Sequence, residues 1–267
     1  MSTKYSDTDI YSRDGVLLYA KGQELTEAVM LKLKRLDIIK KSEPVAFNDE
    51  IKIFRCTRDI KDKFYKLNDS ILKESSGILS DILFDSKASP WWMFVNALSN
   101  YVDWLYTHSI DVALMSLIIA IKLNYKKEML ESLCLGALLH DIGKLLIPKK
   151  IIQKPGKLND TEMTLIKQHC DLGYSMIKEL NLQKESADII LQHHERMDGS
   201  GYPYGLHENQ ISDAAKIVMV ADVLDAITSY RPYKSAQQLN AAVEELKSDE
   251  SKYARDIIKT LEDYLTM

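Results

Sequence analysis

The chain has 267 residues, 46% hydrophobic and 28% charged, with a formal charge of −4. That is enough material to bury a core, and the composition excludes a disordered or fibrous chain. The negative balance excludes a general cationic field for long nucleic acid, so an anionic ligand must meet a local cationic site. Three widely spaced cysteines, Cys56, Cys134 and Cys170, are expected as buried free thiols in a reducing compartment. No apolar signal core opens the chain, and the most hydrophobic run, Val112 to Ile121, is short for a bilayer span. The expected location is cytoplasmic, without membrane insertion.

In chain order, residues 1–48 are expected to form a small α+β regulatory module. Thr8–Tyr11 and Val16–Ala20 flank an Arg13-Asp14-Gly15 turn and read as a hairpin, a helix follows the start signal at Thr26, and IIKKSEPVAF reads as a third strand. Residues 49–90 read as a helical connector, one helix from Glu50 to Asp85 before a break at Ser86–Pro90. Its apolar stripe suits a homodimer seam and equally a packing face on its own chain. Residues 91–267 are expected to be mainly α, a helical bundle with helices at Trp91–Thr107, His108–Leu123, Lys127–Leu139, Thr161–Leu180, Lys184–His194, Asp213–Ser229 and two more at the C-terminus. Pro148 and Pro155-Gly156 break the chain, Asn159 and Asp160 offer caps, and Gly199, Gly201 and Pro203 mark an extended loop.

The chemistry-bearing residues punctuate these helices. Five of the six histidines, His108, His140, His169, His193 and His194, recur at intervals of roughly one helical hairpin. Successive helices would thus each deliver a donor to one centre. In HDIGK, His140 and Asp141 end the apolar run LCLGALL, and Gly143 opens a turn that presents Lys144. Within a helix adjacent side chains diverge, but at a terminus both can reach one site. A buried carboxylate needs a partner, and HHERMDGSGYP and the isolated Asp222 in KIVMVADVLDAI are awkward to explain by packing; metal coordination answers both.

From about Tyr101 to Lys234 the chain resembles the HD-GYP domain, a branch of the HD phosphohydrolase superfamily that hydrolyses the bacterial messenger cyclic di-GMP. The resemblance rests on THSIDVAL, LLHDIGKLLIP, KPGKLND, IKQHCDLGY, HHERMDGSGYPYGL and VADVLDAITSYRPYK, in the family's order and spacing. The first residues are similar, more weakly, to the small domain often found ahead of it. The resemblance implies two metal ions, iron first and manganese second. His108, His140, Asp141 and Asp222 would hold one, and Asp141, His169, His193 and His194 the other. Asp141 and Lys144 would be catalytic, through a hydroxide bridging the ions with Lys144 on the phosphate. Lys144, Arg231 and Lys234, with the loop residues Gly201, Tyr202 and Pro203, would bind substrate.

Some members carry a glutamate one turn before the first histidine and hold a third ion with it. Here that position is Trp104 and the nearby Asp103 faces another side, so two ions are expected, with pGpG as the main product and GMP slow to form. The last helix, DESKYARDIIKTLEDYL, departs from the family's Gly and Phe-Asp-Pro pattern, and the outer wall of the pocket is expected to differ. The loop is also a candidate surface for a signalling partner such as a diguanylate cyclase. The competing expectations are a related phosphohydrolase for another cyclic dinucleotide or a nucleotide monophosphate, and a non-catalytic metal-containing signalling adaptor.

Overall fold

The architecture comes from a computed structural model that describes five short strand segments before residue 41 and residues 46–64, 67–85, 89–229 and 239–264, with side chains from Arg55 onward except Asp85 and Asp103. Two units separate, Met1–Phe54 and Arg55–Met267. In the first, β1 (Lys4–Tyr5) pairs antiparallel with β4 (Glu24–Leu25), and β2 (Ile10–Tyr11) lies between β3 (Leu17–Tyr19) and β5 (Ile39–Lys40). The β2–β3 pairing falls where the hairpin was expected. The helix expected after Thr26 lies outside the described residues. IIKKSEPVAF is not one strand: it contains β5, and its end belongs to helix α1 (Ala46–Lys63).

The described part of the second unit is helical. After α1 come α2 (Asp69–Asp85), α3 (Trp92–Tyr101), α4 (Asp103–Lys122) and α5 (Lys127–Leu139), then a 3-10 turn (Ile142–Leu146) and a single helical turn (Lys149–Ile152). The chain continues through α6 (Asp160–Lys167), α7 (His169–Ile177), α8 (Lys184–Gln192), α9 (Asp213–Thr228), α10 (Leu239–Ser248) and α11 (Arg255–Glu262). The connector is therefore two helices, not one. The first ends at Lys63, and Asn68 starts the second by accepting the Ser70 amide at 2.8 Å. The apolar positions Cys56, Ile60, Phe64, Leu72, Leu79 and Leu83 are buried within this chain, which is the packing alternative of the two readings of that stripe.

Helix α4 is the axis, packed by α2, α3, α5 and α9. Every residue from His108 to Ala120 is buried, so the helix needs no polar face. Each fully buried Leu or Ile contributes roughly 1.5–3 kcal/mol, and Ile110, Leu114, Leu117 and Ile118 together offset the burial of Ser109, Asp111 and Ser116 on the same helix. The apolar run is longer than Val112–Ile121: Trp104–Lys122 has the length and composition of a bilayer span, and 83% of it is buried among the other helices.

The break expected at Thr107–His108 lies instead at Val102, the extended residue between α3 and α4 (φ −142°, ψ 118°). Val102 is β-branched, which suits extended backbone, and its side chain joins Leu105, Ile147, Ile151 and Ile152 in a core cluster. His108 is thereby carried into the body of α4. The helix expected over Thr161–Leu180 is likewise divided at Gln168, after an Asn159–Glu162 capping box has started α6. His193 and His194 follow α8 rather than belonging to it.

Helices α5 and α8 approach closely at Gly136. A Cβ on Gly136 would lie 2.6 Å from Ile189 Cδ1 and 3.0 Å from the Ser186 Cα; the isoleucine tip can turn away but the backbone cannot. Gly136→Ala is expected to destabilise the fold by about 1–3 kcal/mol through overpacking, read as a lower urea midpoint at unchanged m-value.

Candidate metal centre

The two donor groups are assembled from five separate stretches of chain. His108 comes from α4, His140 and Asp141 from the end of α5, His169 from the first residue of α7, His193 and His194 from the turn after α8, and Asp222 from α9. His108, His140 and Asp222 form one group, and Asp141, His169, His193 and His194 the other, the ligating atoms within each lying inside 4.8 Å of one another. Asp141 joins them. Its Oδ2 is 3.5 Å from His140 Nε2 and 3.7 Å from His108 Nε2, while its Oδ1 is 3.4 Å from His169 Nε2 and 3.9 Å from His193 Nε2. Asp222 makes a second span, with Oδ1 3.1 Å from His108 Nε2 and Oδ2 3.7 Å from His194 Nδ1.

Outer contacts decide which ring nitrogens face inward. The Nδ1 of His140 lies 2.6 Å from the Ala137 carbonyl, that of His169 2.6 Å from the Ile166 carbonyl, and that of His193 3.1 Å from the Ile189 carbonyl. A carbonyl only accepts, so Nδ1 donates and Nε2 keeps its lone pair for the centre. His169 Nε2 and His193 Nε2 then face each other at 3.1 Å, two lone pairs with no proton between them. His140 Nε2 and Asp141 Oδ1 are buried with no hydrogen-bond partner. An orphaned buried group costs about 1–3 kcal/mol, and a cation between these atoms removes that cost. The mixed nitrogen and oxygen donors fit a first-row divalent metal.

The electrostatics agree. Burial, foremost, lowers His140 and holds His193 and His194 well below the usual imidazole value; for His169, burial and then the Lys144 charge bring it to about 4. Neutral imidazole is the ligating form. Burial alone would raise Asp141, but Lys144 first and then His140, His169 and His108 hold its carboxyl well below the usual range. Burial would lower His108 too, yet its hydrogen bonds with Asp222 and Asp225 outweigh burial and raise it to about 9. Lys144 donates to Asp141 Oδ2 at 2.5 Å from the 3-10 turn.

Gly143 explains why HDIGK needs its glycine: a Cβ there would lie 1.9 Å from the His169 carbonyl oxygen. The turn after Asp141 thus presses backbone to backbone on the residue that carries the next donor. Gly201 plays a similar part in the loop, where a Cβ would come within 2.4 Å of the Glu195 and Arg196 backbone. That approach brings Tyr202 onto His194, rings stacked at 4.6 Å, with Lys167 Nζ 5.1 Å above the tyrosine ring. Tyr202 therefore walls the centre. Pro203 follows it, partly buried, while Tyr204 beyond is exposed. Arg231 and Lys234 lie outside the described residues, as does the Asp103 side chain.

Sequence reasoning missed two carboxylates. Glu195, within HHERMDG, accepts the Tyr204 and Leu206 amides at 2.7 and 2.9 Å and so clamps the loop. Asp225 accepts from His108 Nδ1 at 2.6 Å. Its position three residues after Asp222, on the same helix face, was the available signal.

A family model described as "HD domain" matches residues 93–257. A cyclic di-GMP phosphodiesterase of Pseudomonas aeruginosa is 42% identical over 53% of this chain and 34% of its own length. A cyclic di-GMP phosphodiesterase of Thermotoga maritima is 38% identical over 62% of this chain and 46% of its own, and the 3′3′-cGAMP-specific phosphodiesterase 1 of Vibrio cholerae is 36% identical over 58% and 37%. The chain thus spans less than half the length of these relatives. The solved structure of Bd1817, an HDGYP protein from Bdellovibrio bacteriovorus, shares the fold with a TM-score of 0.58 at 19% identity, covering 99% of this chain and 96% of that one.

Without metal, the centre makes stability depend on pH in both directions. Four imidazoles sit below their ordinary value, His169 at about 4 against 6.5, so the folded state binds fewer protons than the unfolded one across that interval. Their contribution is complete above pH 6.5 and is lost as pH falls toward 4. His108, at about 9, contributes fully below 6.5 and loses that contribution as pH rises through 9. Metal-stripped protein is expected to be most stable near neutrality, with the steeper decline on the acid side; urea midpoints that rise from pH 7 to pH 4.5 would contradict this.

Proposed function

The chain belongs to the HD-domain family, and on that premise we propose that it is a metal-dependent phosphodiesterase of cyclic dinucleotides, with cyclic di-GMP as the preferred substrate and 3′3′-cGAMP as the second. The observation that carries the proposal is Asp141, a fully buried carboxylate with one oxygen toward each of two groups of inward-facing nitrogens. In this reading His108, His140, Asp141 and Asp222 hold one ion, and Asp141, His169, His193 and His194 the other. Iron ranks first and manganese second, because imidazole and carboxylate donors without thiolate suit them. When bound, two such cations polarise water and a phosphoryl oxygen and neutralise charge as it develops.

The chain's own residues do the remaining work. Asp141 sets the separation of the two groups, and its neighbour Lys144 supplies a fixed positive charge for a phosphate oxygen. Lys144 is held beside the centre by its hydrogen bond to Asp141 Oδ2. Tyr202 closes the His194 side against water, Gly201 and Pro203 shape that wall, and Arg231 and Lys234 are assigned to the phosphate backbone. Trp104 packs 6.4 Å from the His108 ring and has no ligating atom. Two ions and a linear product, pGpG, follow, with GMP slow to form.

The relatives act on both cyclic di-GMP and 3′3′-cGAMP by name, which supports the substrate class and leaves the base preference to this chain's pocket wall. Residues 1–48 are proposed as a regulatory α+β module, 49–90 as the connector and 91–267 as the catalytic domain, in the cytoplasm. The exposed Tyr204 beside the loop marks the proposed surface for a signalling partner such as a diguanylate cyclase. A homodimer would have to use a face other than the buried side of the connector.

The test is incubation of anaerobically prepared, iron- or manganese-loaded protein with cyclic di-GMP and with 3′3′-cGAMP, the products being resolved by chromatography. Turnover to the linear dinucleotide is expected, faster for cyclic di-GMP. The His140→Ala, Asp141→Ala double variant should lose on the order of 1,000-fold in turnover together with bound metal. Undiminished hydrolysis by that variant would overturn the proposal.

A further inference from the structure

Beyond the seven donors, a line of polar contacts runs from the centre to the end of helix α1. His108 Nδ1 donates to Asp225 Oδ2 at 2.6 Å. The other oxygen, Oδ1, accepts from the Ser229 hydroxyl and lies 3.6 Å from Lys63 Nζ. Lys63 also donates to Ser229 Oγ at 2.8 Å. Lys63 is the last residue of α1, its side chain only 19% exposed while that of Asp225 is 2% exposed. One ammonium thus reaches the same carboxylate oxygen directly and through a hydroxyl. With Oδ1 fixed twice, the plane of the carboxylate is fixed, and Oδ2 is left aimed at the imidazole.

We propose that Lys63 is a positioning residue for the metal centre: through Ser229 and Asp225 it orients His108, and so sets the affinity of the site formed with His140 and Asp222. The inference rests on the reading of these residues as metal ligands and extends it, because Lys63 touches neither metal nor substrate. The orientation of a metal-bound imidazole is governed by the group that accepts its other N–H, and loss of such a group weakens binding by roughly 10- to 100-fold. Lys63 stands one contact further out and acts on the acceptor's geometry. Lys63 ends α1, so fraying of that helix end changes the hold on His108 without touching a donor.

Calorimetric titration of metal-stripped full-length protein with Mn²⁺ tests this. The parent protein is expected to show two binding events. Lys63→Met should weaken one of them by about 10-fold or more and leave the other, held by His169, His193 and His194, unchanged, while Lys63→Arg restores both. Ser229→Ala, which removes the relay and keeps the charge, should give a smaller loss at the same event, and it decides the matter if Lys63→Met does not fold. A purely structural Lys63 would lower the melting temperature and leave both affinities alone. Parent-like binding by folded Lys63→Met, or by Ser229→Ala where Lys63→Met does not fold, overturns the inference and spares the metal-centre reading; two parent events that both survive in His140→Ala, Asp141→Ala protein overturn that reading, and this inference with it.

Discussion

A carboxylate shut away from water and faced on both edges by imidazole nitrogens is the constraint around which this chain is arranged. Asp141 is fully buried, and a buried charge survives only where opposite charge or hydrogen bonds meet it. Lys144 meets one edge, and His140, His169, His193 and His194, kept neutral by their own burial, do not complete the compensation. The same atoms leave lone pairs opposed and a carboxylate oxygen without a donor. Such a cluster is poor as packing and good as a chelate. Its cost is borne by the apolar axis α4, whose buried Leu and Ile residues stabilise the bundle far more than these groups strain it.

Four of the five histidine donors are held from behind. Carbonyls at helix ends orient His140, His169 and His193, and one carboxylate on α9 orients His108. These supports explain why His140, His169 and His193 sit just past the end of a helix, whereas His108 lies within α4. The last carbonyls of a helix lack an intrahelical amide or, like that of Ile189, which also accepts the His193 amide at 3.0 Å, have a second lone pair to offer, so a histidine three or four residues on finds an acceptor. The recurrent placement of histidines at helix boundaries is thus a product of backbone geometry as much as of the metal.

The donors were legible in the sequence because His and Asp inside apolar runs are costly to bury unless a ligand or partner meets them, and because HDIGK and HHERMDGSGYP carry a recognisable order. What stayed hidden depended on tertiary contact. The break at Val102 comes from a side chain drawn into a cluster with Ile147, Ile151 and Ile152, residues distant in the chain, and local periodicity runs through that position as helix. Nothing local marks Glu195 as a loop clamp, because its oxygens meet the Tyr204 and Leu206 amides farther along the chain. Asp225 was passed over beside Asp222, although the spacing puts both on one face. The helical class was readable from pattern alone, whereas the start of α2 after Asn68 turned on a single cap.

The close approach at Gly143 reaches further than one turn. The backbone of that residue lies against the His169 carbonyl with no room for even a methyl group, so any larger residue must push α7 away, and the His169 ring with it. The two halves of the centre would then part along the line that Asp141 spans. A chain of this architecture with a side chain at that place would keep the His108 half and forfeit the other. One glycine therefore keeps the two donor groups within reach of each other, and it does so without contributing a single ligating atom.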